Sequence, residues 1–229
     1  MSKSPYSTGT ASGVNYVGGL VGASTGAVGS SHSSASVSGE WRVGGLVGGM
    51  SDTTISNSYS SGPVTGDTQV GGLIGYNYGT VNKSYSTGSV RGDSYIGGLA
   101  GWNRDIISDS YSTGSVTGEW LIGGLVGHNR GTVSKSYSIG AVTGDEDVGG
   151  LVWRNYEGSV TNSFWDIETS GQATSDGGTG KTTAEMKSIA TFSEAGWSII
   201  AVGGPNERNL SYIWNIVNGV TNPLLSWQA

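Results

Sequence analysis

The sequence lacks cysteine altogether and has few prolines, phenylalanines and charged residues. There are 4 prolines and 2 phenylalanines among 229 residues, and charged side chains make up 12% of the chain. Without cysteine, the chain cannot form a disulfide framework, a thiolate metal site or a Cys/His catalytic pair. No apolar run approaches the roughly 20 residues that a membrane-spanning helix needs, so we expect no membrane insertion.

The small charged fraction is acidic in balance. With 11 basic and 17 acidic residues the net charge is −6, so the chain has no electrostatic reason to approach phosphate backbones, and we expect no nucleic-acid partner. The opening residues, MSKSPYSTGT, lack the apolar core of a signal peptide, which indicates a mature or excised piece of a protein.

Glycine is abundant, at 42 of 229 residues, and much of it belongs to a repeat of about 26 residues. A box of the form V/I-G-G-L-x-G recurs, and its first glycines are Gly18, Gly44, Gly71, Gly97, Gly123 and Gly149. A second box, related to S-Y-S-T-G-S-V-T-G, begins at Ser31, Ser58, Ser84, Ser110 and Ser136. The opening PYSTGTASG matches the end of this box, so the array begins within a repeat.

The composition of the repeat favours strands over helices. Short runs of Ser, Thr and Val between glycines are typical of strands with tight turns. One unit cannot bury its few apolar side chains, whereas stacked units form a continuous core. We therefore predict an all-β, right-handed parallel β-helix (β-solenoid) of about six coils. Its core ladders should be Leu20, Leu46, Leu73, Leu99, Leu125 and Leu151; Val37, Val64, Val90, Val116 and Val142; and Val28, Ile55, Val81, Ile107, Val133 and Val160.

The alternation of side chains predicts which residues face outward. If Val90 points into the core, Ser84 and Ser86 do so too, and Tyr85 points out. A corner between Tyr85 and Val90 would reverse this assignment. The parity therefore places the repeated tyrosines on an outer face.

The two boxes together resemble the GLUG-motif repeat proteins. The pattern G-G-L-V-G-x-N-x-G-T-V followed by S-Y-S-T-G-x-V-T-G stands almost unchanged at Gly71–Gly92 and Gly123–Gly144, and the ending IWNIVNGVTNPLLSWQA also resembles that family. The coils at Gly18 and Gly44 lack the N-x-G-T turn, and Trp153 replaces the closing glycine of the last box. The resemblance implies an extracellular or cell-surface protein of bacteria or archaea, adhesin-like and without a shared enzymatic activity.

The period is lost near residue 165, where large aromatic residues become frequent. We predict a solenoid over residues 1–164, beginning within a coil, and a C-terminal capping region with a short helix over residues 165–229. A non-repeating apolar plug is the expected cover for the unpaired strands and open core at a solenoid end. A separate small binding domain is the alternative. The aromatic residues concerned are Phe164, Trp165, Phe192, Trp197, Trp214 and Trp227.

The segment GGTGKTT, Gly177–Thr183, resembles the end of a phosphate-binding loop. That loop needs G-x-x-x-x-G-K-[ST] after a buried strand, but Ser175 occupies the place of the first glycine and the preceding ETSGQAT is polar. Thr182 to Glu185 reads as a capping box that opens a short helix reaching Ile189. We predict a glycine-rich turn and expect no nucleotide or other cofactor.

Two ladders are candidate binding faces. Tyr59, Tyr85, Tyr111 and Tyr137 would form a ribbon of rings on which sugars could stack, or the rings could simply stack on one another. Asn77, Asn103, Asn129 and Asn155 are expected to form a structural turn ladder. Beside it, the mixed aromatic and cationic edge that includes Trp102, Arg104 and Arg130 is the second candidate for a glycan or protein contact.

Metal binding and catalysis have little support. Glu40, Asp67, Asp93, Glu119 and Asp145 recur once per coil, which gives too few oxygens for calcium, and the G-G-x-G-x-D signature is absent. The only histidines, His32 and His128, lie in different registers. Coils of nearly constant length leave no loops to build a cleft. We predict no metal site, no catalytic residue and no enzymatic activity.

The predicted function is an adhesin-like or structural stalk module that binds glycans or proteins, if it binds, through flat repeated faces. A contact through the edge of the N-terminal coil is a further option. The alternatives are a polysaccharide-degrading β-helix enzyme and an ice-binding solenoid. The latter would use the threonine ladder of Thr65, Thr117 and Thr143, which Ser38 and Arg91 interrupt.

Overall fold

A computed structural model describes residues 4–228 as a parallel β-solenoid of about six turns, roughly 26 residues apart, with 52% strand and 6% helix. Residues 1–3 and 229, which the predicted domain limits include, lie outside the described residues. Each coil contributes to three parallel sheets that run along the stack. The predicted all-β solenoid is therefore confirmed.

The three sheets are named here after a residue that each repeats. The tyrosine sheet comprises Tyr6–Ser7, His32–Ser33, Tyr59–Ser60, Tyr85–Ser86, Tyr111–Ser112, Tyr137–Ser138, Phe164–Asp166 and Thr179–Lys181. The valine sheet comprises Thr10–Ser12, Asn15–Gly18, Ser36–Gly44, Val64–Gly71, Val90–Gly97, Val116–Gly123, Val142–Thr143 and Val148–Gly149. The asparagine sheet comprises Val21–Ser24, Val28–Gly29, Val47–Ser56, Ile74–Asn82, Ala100–Asn103, Ile106–Ser108, Val126–Asn129, Thr132–Ser134, Val152–Asn155 and Ser159–Thr161.

The register between coils places each residue on its equivalent in the next coil. Val90, for example, pairs with Val64 on one side and Val116 on the other. The predicted core ladders are confirmed, since nearly all their members are buried and only Leu20 and Val160, near the two ends, are partly buried. The predicted alternation of inward and outward side chains is confirmed as well, because Ser84, Ser86 and Val90 are all buried.

The glycine pair of each box is required by a close approach inside the coil. A Cβ atom on Gly98 would lie 2.2 Å from the carbonyl oxygen of Gly124 and 2.7 Å from Oγ of Ser112. Along the chain, this pair separates Ile96, which belongs with Val64 and Val90 to one buried cluster (the valine core cluster), from Leu99, which belongs with Leu73 and Leu125 to another (the leucine core cluster). The box therefore needs glycine here and a small serine opposite.

The C-terminal region folds back along the side of the solenoid. Trp165 enters the leucine core cluster, close to where a Cβ of Gly150 would lie, and so supplies part of the expected end plug. The rest packs against the outer side of the tyrosine sheet, which differs from a simple cover over the end. It contains helices α1 (Ile167–Ser170), α2 (Thr183–Met186) and α3 (Ile189–Ser193), and a three-stranded sheet of Ile199–Ala201, Trp214–Ile216 and Leu224–Leu225.

The segment GGTGKTT runs through a turn, a strand and the start of a helix. Thr179–Lys181 adds a strand to the tyrosine sheet by pairing with Phe164–Asp166. The predicted capping box is confirmed, with the side chains of Thr182 and Glu185 each accepting a hydrogen bond from the other's backbone N–H. The predicted single helix is divided, because α2 ends at Met186 and α3 begins at Ile189.

Candidate binding faces

The tyrosine sheet carries a continuous stack of aromatic rings on its outer side. The centroids of Tyr59 and Tyr85 are 4.9 Å apart with an interplanar angle of 2°. The contacts of Tyr85 with Tyr111 and of Tyr111 with Tyr137 have the same 4.9 Å separation. His32 continues the stack beyond Tyr59 at 4.9 Å. Each inner ring therefore has both faces covered by its neighbours, as in a stabilising side-chain ladder.

The C-terminal region covers the edges of this stack. Only 2% of Tyr111 and 1% of Tyr137 is exposed. The Tyr137 hydroxyl donates a 2.6 Å hydrogen bond to the carbonyl of Pro223, and Gln228 Nε2 donates one of 2.6 Å to the Tyr111 hydroxyl. Burial raises the pKa values of both phenols.

The expectation of an open tyrosine ribbon for sugar stacking is thereby corrected. Tyr111 and Tyr137 are buried, and Tyr59 and Tyr85 are half-buried beside Trp227, at ring separations of 6.4 and 5.6 Å. A sugar needs a free ring face, and Tyr59, Tyr85 and Tyr111 each have a neighbouring ring stacked on both faces. The alternative interpretation, in which the rings stack on one another, describes the ladder.

The asparagine ladder is buried and structural, as predicted. Nδ2 of Asn77 donates to Oδ1 of Asn103 at 2.6 Å, and the same bond is 2.7 Å from Asn103 to Asn129 and from Asn129 to Asn155. Asn77, Asn103 and Asn129 are fully buried. The amides also bond to the turn that follows, for example Asn103 Nδ2 to the carbonyl of Asp105 at 3.1 Å. The ladder therefore fixes the turn from which neighbouring side chains project.

A strip of aromatic rings and one arginine runs along the corner between the valine and asparagine sheets. The guanidinium of Arg42 lies between two rings, 4.6 Å from Tyr16 and 4.5 Å from Tyr76. The ring centroid of Trp102 lies 4.4 Å from that of His128 and 4.9 Å from that of Tyr95. The aromatic–arginine strip is defined as Tyr16, Arg42, Tyr76, Tyr95, Trp102, His128 and Trp153.

Two columns of residues interleave to form this strip. Tyr76, Trp102 and His128 are register partners on the asparagine sheet. Tyr16, Arg42 and Tyr95 precede the glycine boxes in left-handed backbone conformations, with φ values of 53°, 57° and 56°. The sequence analysis did not identify this second column. The equivalent position in the other coils is occupied by Gln69, Leu121 and Asp147, so it is not consistently aromatic. The 26-residue spacing could have revealed the column.

The predicted residues Trp102, Arg104 and Arg130 lie together on this side of the solenoid. Arg104 Nη1 donates a 3.5 Å hydrogen bond to the Tyr76 hydroxyl, which raises the pKa of the guanidinium. Arg130 lies 4.8 Å above the ring of Tyr156 and 3.2 Å from Glu157. The second candidate edge is thus a single cluster continuous with the aromatic–arginine strip.

A groove opens at the N-terminal end of the strip. It has a volume of about 240 Å³, and Tyr16 and Tyr76 are among its lining residues. The ring of Tyr16 lies over Gly49, since a Cβ there would be 2.9 Å from its Cδ1 and Cε1. The remaining lining residues are Ala23, Ser24, Thr25, Met50 and Ser51. The groove therefore combines two aromatic rings with small residues and several hydroxyl groups.

His128 is nearly buried in the strip. Only 8% of its side chain is exposed, and burial, followed by the charges of Arg154 and Arg130, lowers its pKa to about 4. The imidazole is therefore neutral near pH 7 and acts as an aromatic surface. His32, the other histidine, belongs to the tyrosine sheet.

The remaining candidates are separate from the strip. A groove of about 240 Å³ on the acidic corner is lined by Arg91, Asp93, Glu119 and Asp145, among others. Within residues 4–228 no three His, Asp or Glu side chains are grouped so that they could hold a metal ion. Arg91 is exposed and stands in register between Thr65 and Thr117, so it interrupts the threonine ladder.

These features define a parallel β-solenoid repeat protein with one aromatic ladder buried by its own C-terminal region and one aromatic–arginine strip that lies outside that buried cluster. Residues 39–65, 66–91 and 92–117 each match the family described as the GLUG motif. The chain thus carries three GLUG motifs in tandem over residues 39–117.

The chain is also similar to part of a much longer protein. Over 47 residues it is 45% identical to a Gly-rich membrane protein of Evansella cellulosilytica, a stretch that covers 20% of this chain and 5% of the relative. No solved structure matches the chain. Across the described part of the chain, none of the helices has the length and apolar character needed to span a bilayer.

Proposed function

We propose that this chain is an adhesin-like module that acts outside the cell and binds carbohydrate through the corner between the valine and asparagine sheets. The observation that carries the proposal is the aromatic–arginine strip, which lies outside the cluster in which the C-terminal region buries the tyrosine ladder. The GLUG motifs support it, because the family they resemble is one of surface proteins.

The geometry of this face suits a sugar polymer better than the tyrosine ladder does. Neighbouring rings in the strip are tilted rather than parallel, with angles of 45° between Tyr76 and Trp102 and 40° between Tyr95 and Trp102. Beside them, Tyr78 is 44% exposed and Tyr156 is 42% exposed. Rings of this kind present an apolar surface with a polar edge, and repetition over successive coils would add weak contacts by avidity.

Binding without catalysis is part of the proposal. The residues that form the strip are aromatic or arginine side chains, and its one histidine, His128, has a pKa lowered to about 4 and is neutral near pH 7. A general acid or base works best with a pKa near the operating pH. This arrangement favours recognition of a polymer over its cleavage.

A glycan array tests the proposal. We expect the intact chain to bind, and a Tyr78→Ala/Tyr156→Ala variant and a Tyr76→Ala/Trp102→Ala variant each to bind at least about tenfold more weakly, since stacked rings supply much of such affinity. Trp41→Ala/Trp120→Ala is the matched control, because these rings are 50% and 54% exposed on the valine sheet. Circular dichroism checks each fold.

Two results would contradict the proposal. One is the absence of binding by the intact chain to any glycan on the array. The other is an equal loss of binding in the Trp41→Ala/Trp120→Ala control, which would place the contact on the valine sheet.

A structural stalk is a second candidate, and the continuous ladders favour it. Backbone and serine hydrogen bonds join successive coils, for example from the N–H of Ser84 to Oγ of Ser110 at 3.2 Å, and asparagine bonds add to them from Asn77 to Asn155. Such a stack is stiff and can be extended by whole coils. An intact chain that binds no glycan but lengthens in proportion to added coils in small-angle scattering would support this function instead.

A further inference from the structure

Arginine is concentrated on one side of the molecule. The sequence has six arginines within a net charge of −6. Four of them, Arg42, Arg104, Arg130 and Arg154, lie in or beside the aromatic–arginine strip. Asp105 and Glu157 are near neighbours of these arginines, whose guanidinium groups supply hydrogen-bond donors for an anion.

Most of these arginines have no carboxylate partner. Among residues 4–228, the ion pairs within 4.0 Å are Arg130 with Glu157 and Lys181 with Glu185. Arg42 donates instead to the neutral Oε1 of Gln69 at 3.1 Å, and Arg104 donates to the hydroxyl of Tyr76. Arg154 and Arg104 are exposed. Their charges are therefore available to a ligand.

Cation–π contacts hold these guanidinium groups in place without neutralising them. Arg154 lies 5.7 Å from the ring of Trp153 and 5.5 Å from that of Tyr156, and Arg104 lies 5.8 Å from Tyr78. A guanidinium that stacks on a ring still presents its N–H groups at the edge of its own plane, where they can pair with both oxygens of a carboxylate. Arginine and ring thus alternate along the same face.

We propose that this face binds an acidic polysaccharide, with Arg42, Arg104 and Arg154 holding uronate carboxylates and the neighbouring rings packing against the sugars. The inference rests on the proposed function and specifies its ligand class. Arg42, Arg104 and Arg154 belong to the second, fourth and sixth coils, so a polymer that runs along the stack can meet them in turn. A nucleic acid fits less well, because its densely charged backbone would meet the surrounding acidic surface.

The test compares acidic and neutral forms of one polymer at physiological salt. Polygalacturonate, alginate and hyaluronan are the acidic probes, and fully methyl-esterified polygalacturonate is the neutral one. We expect binding to at least one acidic polymer, and binding at least about tenfold weaker to the methyl ester, since hydrogen bonds to charged groups contribute strongly. A single-stranded oligonucleotide and heparin serve as general polyanions.

Variants separate charge from stacking. Arg104→Gln/Arg154→Gln should weaken binding to the acidic polymer about tenfold. Arg91→Gln is the matched control, because Arg91 is an exposed arginine on the valine sheet, and it should change binding less than about twofold.

Each other outcome overturns the inference, and the failures are distinguishable. Equal binding of the neutral polymer, with a loss only in Tyr76→Ala/Trp102→Ala, would leave the proposed function standing and remove the acidic ligand. Tighter binding of the oligonucleotide or heparin than of any uronate would indicate a general polyanion surface. No binding by any polymer or array glycan would remove both proposals.

Discussion

At the scale of single residues, the two serines of each S-Y-S segment have different tasks. Ser84 accepts the N–H of Ser58 at 3.2 Å and donates to the carbonyl of Asn82 at 2.8 Å, so the first serine joins successive coils. Ser86 lies against Gly72, where a Cβ would be 2.2 Å from its Oγ. The second serine is therefore small because the backbone opposite is close, and the tyrosine between them faces outward.

His128 should make the stability of the protein depend on pH. Its folded pKa of about 4 lies below the ordinary value of 6.5, because of burial and then Arg154 and Arg130. The unfolded state therefore binds more protons between these values, so this contribution is complete above about pH 6.5 and is lost as the pH falls towards 4.

Urea unfolding of the native chain and of the His128→Gln variant, at about pH 7.5 and about pH 4.5, measures this pH-dependent contribution to stability. The native chain should lose about 2 kcal/mol more stability than the variant over that interval. Equal losses in both proteins would show that the histidine is protonated normally in the fold.

At the scale of elements, the strands are stabilised by ladders that connect coils rather than by contacts within a coil. The strands of the tyrosine sheet in the coils are only two residues long, as in Tyr85–Ser86, and would not persist alone. Their persistence comes from the ring stack, the serine bonds and the backbone bonds to the coils on either side. Damage to one ladder position should therefore weaken the whole stack.

Asn103→Asp tests an inner position of the asparagine ladder. The substitution removes the donor to Asn129 Oδ1, and it places a carboxylate at a fully buried position. We expect a loss of at least about 2 kcal/mol in the free energy of unfolding at neutral pH. Because burial favours the neutral acid, the loss should shrink as the pH falls.

Denaturant unfolding at about pH 7 and about pH 4.5 measures this loss. Asn206→Asp, at an exposed position, is the control and should change stability by less than about 0.5 kcal/mol. A similar small effect for Asn103→Asp would mean that the ladder contributes little.

At the scale of the whole molecule, the C-terminal region decides which outer face is open. Trp227 Nε1 donates to the carbonyl of Lys83 at 3.0 Å, and Trp214 Nε1 donates to Oδ1 of Asp109 at 3.2 Å. These bonds connect residues more than 100 positions apart along the chain. The tyrosine ladder is consequently part of an internal interface.

Trp214→Ala should loosen this interface. Trp214 is fully buried. Its ring centroid lies 6.0 Å from that of Tyr111, 5.8 Å from that of Tyr137 and 4.9 Å from that of Trp197. Removing so large a buried ring should cost about 3–5 kcal/mol of unfolding free energy. It should also let Tyr111 ionise at lower pH, because burial is the main cause of its raised pKa.

Chemical denaturation and an alkaline absorbance titration of the phenols measure both effects. Trp120→Ala, which removes a ring that is 54% exposed, is the control and should alter neither quantity appreciably. A native-like titration in Trp214→Ala would show that the C-terminal region stays docked without it.

Much of the fold could be predicted from the sequence, but less of the candidate site. The Leu, Val and Asn ladders followed from spacing, because a parallel stack places each residue on its equivalent. Trp102, Arg104 and Arg130 were also identified by spacing. Tyr16, Arg42 and Tyr95 were not, since their place in the strip depends on left-handed backbone at a position where several residue types occur.

The sequence by itself determined the solenoid, its coil length and which side chains enter the core, because a repeat of constant length permits one register. Only the tertiary structure decided the fate of the outer faces. The parity correctly turned the tyrosines outward, yet the non-repeating region after residue 165 then buried Tyr111 and Tyr137. No period encodes that packing, which depends on apolar surfaces meeting across distant parts of the chain.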